Sequence, residues 1–111
     1  MSWREWLGHL EQSEPPRSER RKSVRFALHS PVVAVWRDAD GKPRRTRGRG
    51  LNVTEEGAAF SCLRPPPVGA TVLLEIPAYN LSGSARVRHA DWRLWRAVVG
   101  VEFLGPPRRQ I

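Results

Sequence analysis

Apolar residues recur along this chain with two different periods, and the change between them divides it. Over residues 2–10, Trp3, Trp6, Leu7 and Leu10 follow i, i+3, i+4, i+7 spacing, which lays one apolar stripe along a helix. Ser2 and Glu5 form an S-x-x-E capping box at its start. A helix this short is marginal alone, so it is expected to dock on the protein's own core or, failing that, on a partner. Residues 11–25 are polar and broken by Pro15-Pro16, the signature of a linker or flexible arm. From Pro31 the period becomes two. Strands are predicted at 32–36, 44–53, 58–62, 71–76, 82–90 and 97–103. Asp38–Pro43 has hairpin-turn chemistry, Glu55-Glu56-Gly57 a tight turn, and Asp91–Arg96 a further turn. Six short strands and almost no helix argue for a small all-β barrel or sandwich. The chain runs only to Ile111, so residues 2–10 are the helix expected to cover an open barrel end.

Length and composition narrow the classes. At 111 residues the chain fits one domain with one modest core. The expected division is a helix and arm over 1–25 and a β-barrel over 26–111. No apolar stretch approaches the ~20 residues of a membrane-spanning helix. The N-terminus, Met1-Ser2-Trp3-Arg4-Glu5, lacks the apolar run of a secretory signal, so a cytoplasmic location is expected. Cys62 is the single cysteine and excludes an intramolecular disulfide. Net charge is +8, and all the basic residues except Lys22 and Lys42 are arginine. Arginine offers a planar fork for phosphates and guanine edges. Ten prolines and nine glycines show that a compositional bias explains the arginine count equally well, so placement carries more than number. Arg45, Arg47 and Arg49 share one face of the second strand, and Arg17, Arg20, Arg21, Lys22 and Arg25 cluster in the arm.

Catalytic and metal signatures are missing. His9, His29 and His89 stand in three separate elements, with no ligand spacing to one another or to Cys62. Neither a G-x-S-x-G nor a Walker loop occurs, and Gly48-Arg49-Gly50 lies inside a strand pattern rather than before a helix. Cys62 reads as a small apolar core residue, and Glu55-Glu56 as solvated turn carboxylates. The expectation is a binding protein with no metal, no cofactor and no enzymatic activity.

Two local patterns remain. Arg21-Lys22-Ser23-Val24-Arg25 is an R-x-x-x-R ahead of the first strand, with Arg20 before it and an overlapping pair at Arg17 and Arg21. Asn52-Val53-Thr54-Glu55-Glu56-Gly57 is an N-x-T-x-x-G at a strand-to-turn junction. Together they resemble the bacterial PilZ family, whose hallmarks are R-x-x-x-R followed by [D/N]-x-S-x-x-G. The likeness spans roughly Arg20 to Phe103 and includes Gly100-Val101-Glu102-Phe103, similar to the family's closing G-V-x-F strand. Thr54 stands where the family usually has serine, so the hydroxyl is kept and a methyl is added.

The resemblance implies a six-stranded antiparallel barrel that binds cyclic di-GMP through Arg20, Arg21, Arg25, Asn52, Thr54 and Gly57. Arginine meets a phosphodiester or a guanine edge with two parallel hydrogen bonds. Asn52 offers an amide, Thr54 a hydroxyl, and Gly57 a positive φ and close backbone approach. Each of these residues also has a plainer reading, as a solvated charge or a turn builder. Cyclic di-GMP is expected to dock at the Asn52–Gly57 turn, the arm to close over it, and an effector protein to read the displaced N-terminus. In PilZ domains an arginine at the Arg20 position accompanies two stacked ligand molecules, which implies two per domain, against one if Arg20 is a further solvated arginine. The rival reading is an OB-like module for single-stranded nucleic acid, for which Lys42–Arg49 would track the backbone. An adaptor acting through the N-terminal helix alone is a third.

Overall fold

The computed structural model describes residues 3–8, 10 and 25–109. Helix α1 covers Trp3–Leu7. The strands are β1 (Phe26–Ala27), β2 (Pro31–Arg37), β3 (Pro43–Val53), β4 (Gly57–Cys62), β5 (Thr71–Ile76), β6 (Leu81–Arg93), β7 (Arg96–Phe103) and β8 (Arg108–Arg109). Six of them close a ring in the order β3, β2, β5, β6, β7, β4 and back to β3. Every pairing in the ring is antiparallel. The two-residue strands sit outside the ring, β1 against β3 and β8 against β6. The expected six-stranded antiparallel barrel is therefore the architecture found.

Alternation fills the interior. In β4, Ala58, Phe60 and Cys62 point inward; in β5, Val72, Leu74 and Ile76 do the same. Opposite them stand Val32, Ala34, Val53, Val87, Val99 and Val101, with Leu28 entering from the link between β1 and β2. Cys62 is wholly buried, as its small apolar character implies, and that burial pushes its thiol pKa up. Ring closure needs two glycines on β3. A Cβ at Gly48 would strike the Ser61 carbonyl, and one at Gly50 would overlap Leu28 at 2.7 Å. The exposed face of β3 carries Arg45, Arg47 and Arg49, with Thr46 and Gly50 turned inward between and beside them.

The connections fall at two opposite ends. At one end lie the Thr54–Glu56 turn, the 3₁₀ turn Pro77–Tyr79 and the end of β7, and α1 covers this end. Trp3 and Leu7 are buried in the core, and Trp6 and Leu10 pack against it, so the predicted stripe faces the barrel. Trp3 stacks on Trp6 at 4.9 Å and meets Phe103 edge-on at 5.6 Å. The helix is shorter than the 2–10 expected. Gly8 and Leu10 hydrogen-bond back three residues, to Glu5 and Leu7, where an α-helix would reach four. Glycine at position 8 weakens helix continuation. Ser2 of the expected capping box lies outside the described residues.

The other end holds the β2–β3 turn, the 63–70 connection and the β6–β7 hairpin. In the first, the Asp38 carboxylate accepts the backbone N–H groups of Asp40 and Lys42 and the Arg44 side chain, all at 2.8–2.9 Å. The Lys42 hydrogen bond, with the others, holds its pKa below the usual carboxylate range. Gly41 takes the positive φ (78°) of this turn. The third connection departs from expectation. Strand β6 runs on through Asp91–Arg93, and only Leu94 and Trp95 separate it from β7. Two-residue hairpin loops favour Asn or Gly where φ is positive; here Leu94 takes that conformation, with φ 58°, and the usual sequence mark is missing. A leucine held there stores strain that glycine relieves. Leu94→Gly should raise unfolding stability by about 1 kcal/mol in a urea melt; an unchanged or lower midpoint would mean that the turn is not strained.

Candidate functional site

The N-x-T-x-x-G segment forms a self-bonded turn between β3 and β4. The Thr54 hydroxyl oxygen accepts the N–H groups of Glu56 at 3.1 Å and Gly57 at 3.0 Å. The same hydroxyl lies 3.3 Å from the Gly57 carbonyl, to which it donates, and the Thr54 N–H donates to that carbonyl at 2.8 Å. Thr54 thus engages its hydroxyl in building the turn. Serine would make the same bonds, so the added methyl of threonine leaves this geometry intact.

Gly57 opens β4, and its φ is not positive; among the described glycines only Gly41 and Gly69 have that conformation. The expectation of a left-handed residue is corrected. The other half of that expectation, close backbone approach, is what the position requires, because a Cβ on Gly57 would collide with the Val101 carbonyl of β7. Asn52 sits one residue before the end of β3, half-buried, at a register shift between Gly50 and Asn52. The irregularity turns the strand locally and re-aims the side chains that follow.

Short strand β1 explains how the arm meets this turn. Phe26 pairs with Val53 and Ala27 with Asn52, so continuing the register places Arg25 opposite Thr54. Arg25, Asn52, Thr54 and Gly57 line one open groove of about 290 Å³, together with Glu56, Arg88, His89, Gly100 and Glu102. Strands β6 and β7 supply the last four. Here too the ladder is irregular, with a shift between Val87 and His89. The His89 imidazole lies flat on Gly100, where any Cβ would occupy the ring's place. Its Nδ1 stands 3.2 Å from the Asp91 carboxylate. Arg88 grips Glu102 with two parallel bonds, at 3.1 and 3.0 Å. That grip holds the Glu102 carboxyl below its ordinary pKa and the Arg88 guanidinium above its own. Both partners are half-exposed, so the pair contributes little to folding.

Glu56 and Glu102 also rim a larger groove of about 1120 Å³, floored by Trp3 and Phe103. The Trp3 indole N–H donates to the Glu55 carbonyl at 3.1 Å, tying helix α1 to the same turn. Of the six residues expected in the site, four come together and two, Arg20 and Arg21, lie outside the described residues. Sequence reasoning missed Arg88, His89 and Glu102. Gly100 was visible only as part of a strand motif, and nothing in the sequence pairs it with His89. Among the described residues no cluster of three or more His, Cys, Asp or Glu side chains is placed to hold a metal ion.

Roles within the turn separate by mutation. Gly57→Ala should cost about 1–3 kcal/mol of stability through forced overpacking. Asn52→Ala should stay within about 0.5 kcal/mol of the native protein. Parallel urea melts decide, and equal losses would make Asn52 a structural residue.

No protein-family model matches this chain, and none of the curated proteins compared with it matches either.

Proposed function

We propose that this protein is a PilZ-type receptor for cyclic di-GMP, with the ligand seated in the groove at the Asn52–Gly57 turn. The observation that carries the reading is the meeting of Arg25, at the arm's end, with Asn52, Thr54 and Gly57 on one surface. These residues come from two motifs far apart in sequence, and the β1–β3 register is what joins them. Arg25 and Arg88 supply fork-shaped cations for phosphodiester oxygens or guanine edges. His89, flat on Gly100, offers an aromatic face beside them. Arg20 and Arg21 complete the arginine set from the arm, and two stacked ligand molecules per domain remain the proposed stoichiometry when Arg20 takes part.

Signalling follows from the link at the turn's outer side. Ligand drawn onto the turn acts on Glu55, whose carbonyl holds Trp3 of helix α1. Movement of α1 then changes the surface offered to an effector protein. Binding here is recognition without chemistry, in keeping with the lack of a catalytic motif in the sequence.

The arginine face of β3 is the one observation that favours the OB-like alternative. Calorimetric titration with cyclic di-GMP and with a short single-stranded oligonucleotide, at moderate salt, separates the two. The receptor reading predicts saturable cyclic di-GMP binding, weakened by about 2 kcal/mol, or roughly thirtyfold, in Arg21→Ala and in Arg25→Ala. Oligonucleotide binding alone, or native affinity in both variants, would refute it.

Glu102 adds a second expectation. Its carboxylate occupies Arg88 and lines the groove that a dianion must enter. Glu102→Gln releases the guanidinium and removes a repulsive charge, so cyclic di-GMP should bind this variant more tightly than the native protein. Weaker binding would place the ligand away from Arg88.

A further inference from the structure

The β6–β7 hairpin presents a feature that neither the barrel nor the groove uses. Strand β4 ends against β7 at the Cys62–Ala97 pair, and β5 ends against β6 at Thr71–Arg86. The hairpin continues past β5 with Trp92–Ala97 still flanked by β4, and the Arg93–Arg96 pair with the Leu94–Trp95 turn extends beyond both. The tip, Arg93–Arg96, therefore protrudes and pairs with neither β4 nor β5. Trp92 is 59% exposed, Trp95 66% and Leu94, at the apex, 97%. Leu63, 54% exposed, follows β4 at the same end of the barrel. Large apolar side chains rarely stand together in water without a partner.

Arginine flanks them. Arg93 stands between Trp92 and Leu94 and Arg96 follows Trp95, and Arg64 and Arg47 lie at the same barrel end. Arg96 is fixed in place: its guanidinium bonds the Ser61 carbonyl at 3.2 Å and lies over the Trp95 ring at 5.4 Å. The nearest carboxylate along the ribbon, Asp91, stands 3.2 Å from His89 lower on the stem. Leu94 also holds a backbone conformation suited to glycine, so an apolar side chain sits at the apex despite local strain.

We propose that this hairpin tip is a peripheral anchor for an anionic lipid surface, with Trp92, Leu94 and Trp95 entering the headgroup boundary and the flanking arginines meeting lipid phosphates. A protruding tip inserts where a groove would receive. Tryptophan and arginine are the side chains that favour the membrane–water boundary. Anionic lipid matches the basic surroundings, and the chain's net charge of +8 strengthens the approach. Single-stranded nucleic acid would also meet arginine and tryptophan, yet it has no use for an aliphatic apex, because leucine cannot stack on a base.

The test is co-sedimentation of the full chain, without nucleotide, on vesicles of equal parts phosphatidylglycerol and phosphatidylcholine, beside vesicles of phosphatidylcholine alone. The native protein should pellet with the anionic vesicles and remain in solution with the neutral ones. Leu94→Gly, expected to be at least as stable as the native protein, should lose roughly tenfold in vesicle affinity. Trp92→Ser/Trp95→Ser should lose more, with all arginines intact and an unchanged urea midpoint. Failure of the native protein to bind anionic vesicles would overturn the proposal. So would native affinity in both variants, which would reduce the effect to adsorption by overall charge. Binding of a short oligonucleotide that is lost in the tip variants, with vesicles ignored, would assign the tip to nucleic acid instead.

Discussion

Closure of this barrel depends on one strand being paired along both edges. Strand β3 bonds β2 over its first half, β1 over its last residues and β4 on its other side. A ring of six strands has no free edges, which removes the main route to edge-to-edge association. Two neighbours can approach β3 this closely only because Gly48 and Gly50 present no side chain to Ser61 and Leu28. The irregularity at Gly50–Asn52 then ends the regular ladder just where the Thr54 turn begins. Core, closure and candidate site thus share one segment, Gly48–Gly57.

The groove inherits its geometry from the same strand. Since β1 pairs only at Val53 and Asn52, the chain entering it is fixed at Arg25 and the turn is met at once. The hydroxyl of Thr54 is engaged inside the turn, so the chemistry open to the groove rests on Asn52, on Arg25 and Arg88 and on His89. Glu102 tempers the positive charge by holding Arg88. Trp3 ties the far side of the turn to the helix covering that barrel end. Turn and helix are thereby joined by a direct hydrogen bond.

Much of this was legible in the residue pattern. Period-two alternation located β4 and β5 with correct bounds or nearly so, because both place one face wholly in the core. The apolar stripe of Trp3, Trp6, Leu7 and Leu10 correctly predicted a docked helix, though backbone bonding shortens it. The turn between β6 and β7 was expected over Asp91–Arg96, but its two-residue tightness was not legible, because the loop has no glycine or asparagine and Leu94 adopts the conformation those residues usually supply. Strands β1 and β8, two residues each, have no periodicity to detect. In the site, local motifs located the turn and Arg25. Arg88, His89 and Glu102 could not be found that way, since the β4–β7 register sets Glu102 opposite Gly57 and the β6–β7 register, with its shift after Val87, brings Arg88 and His89 beside it. Gly57 was read for positive φ and for close backbone approach; only the second is required, and the Val101 carbonyl of β7 sets it.

The central claim is that cyclic di-GMP occupies the groove between the Thr54 turn and the His89–Gly100 contact. Backbone amide shifts of isotopically labelled protein, followed during titration with cyclic di-GMP, test it most directly. Occupancy of the groove predicts saturable shifts confined to Arg25, Asn52–Gly57, Arg88–His89 and Gly100–Glu102, together with the Trp3 indole N–H. An unchanged spectrum, or shifts centred on Arg45, Arg47 and Arg49 of β3, would contradict it.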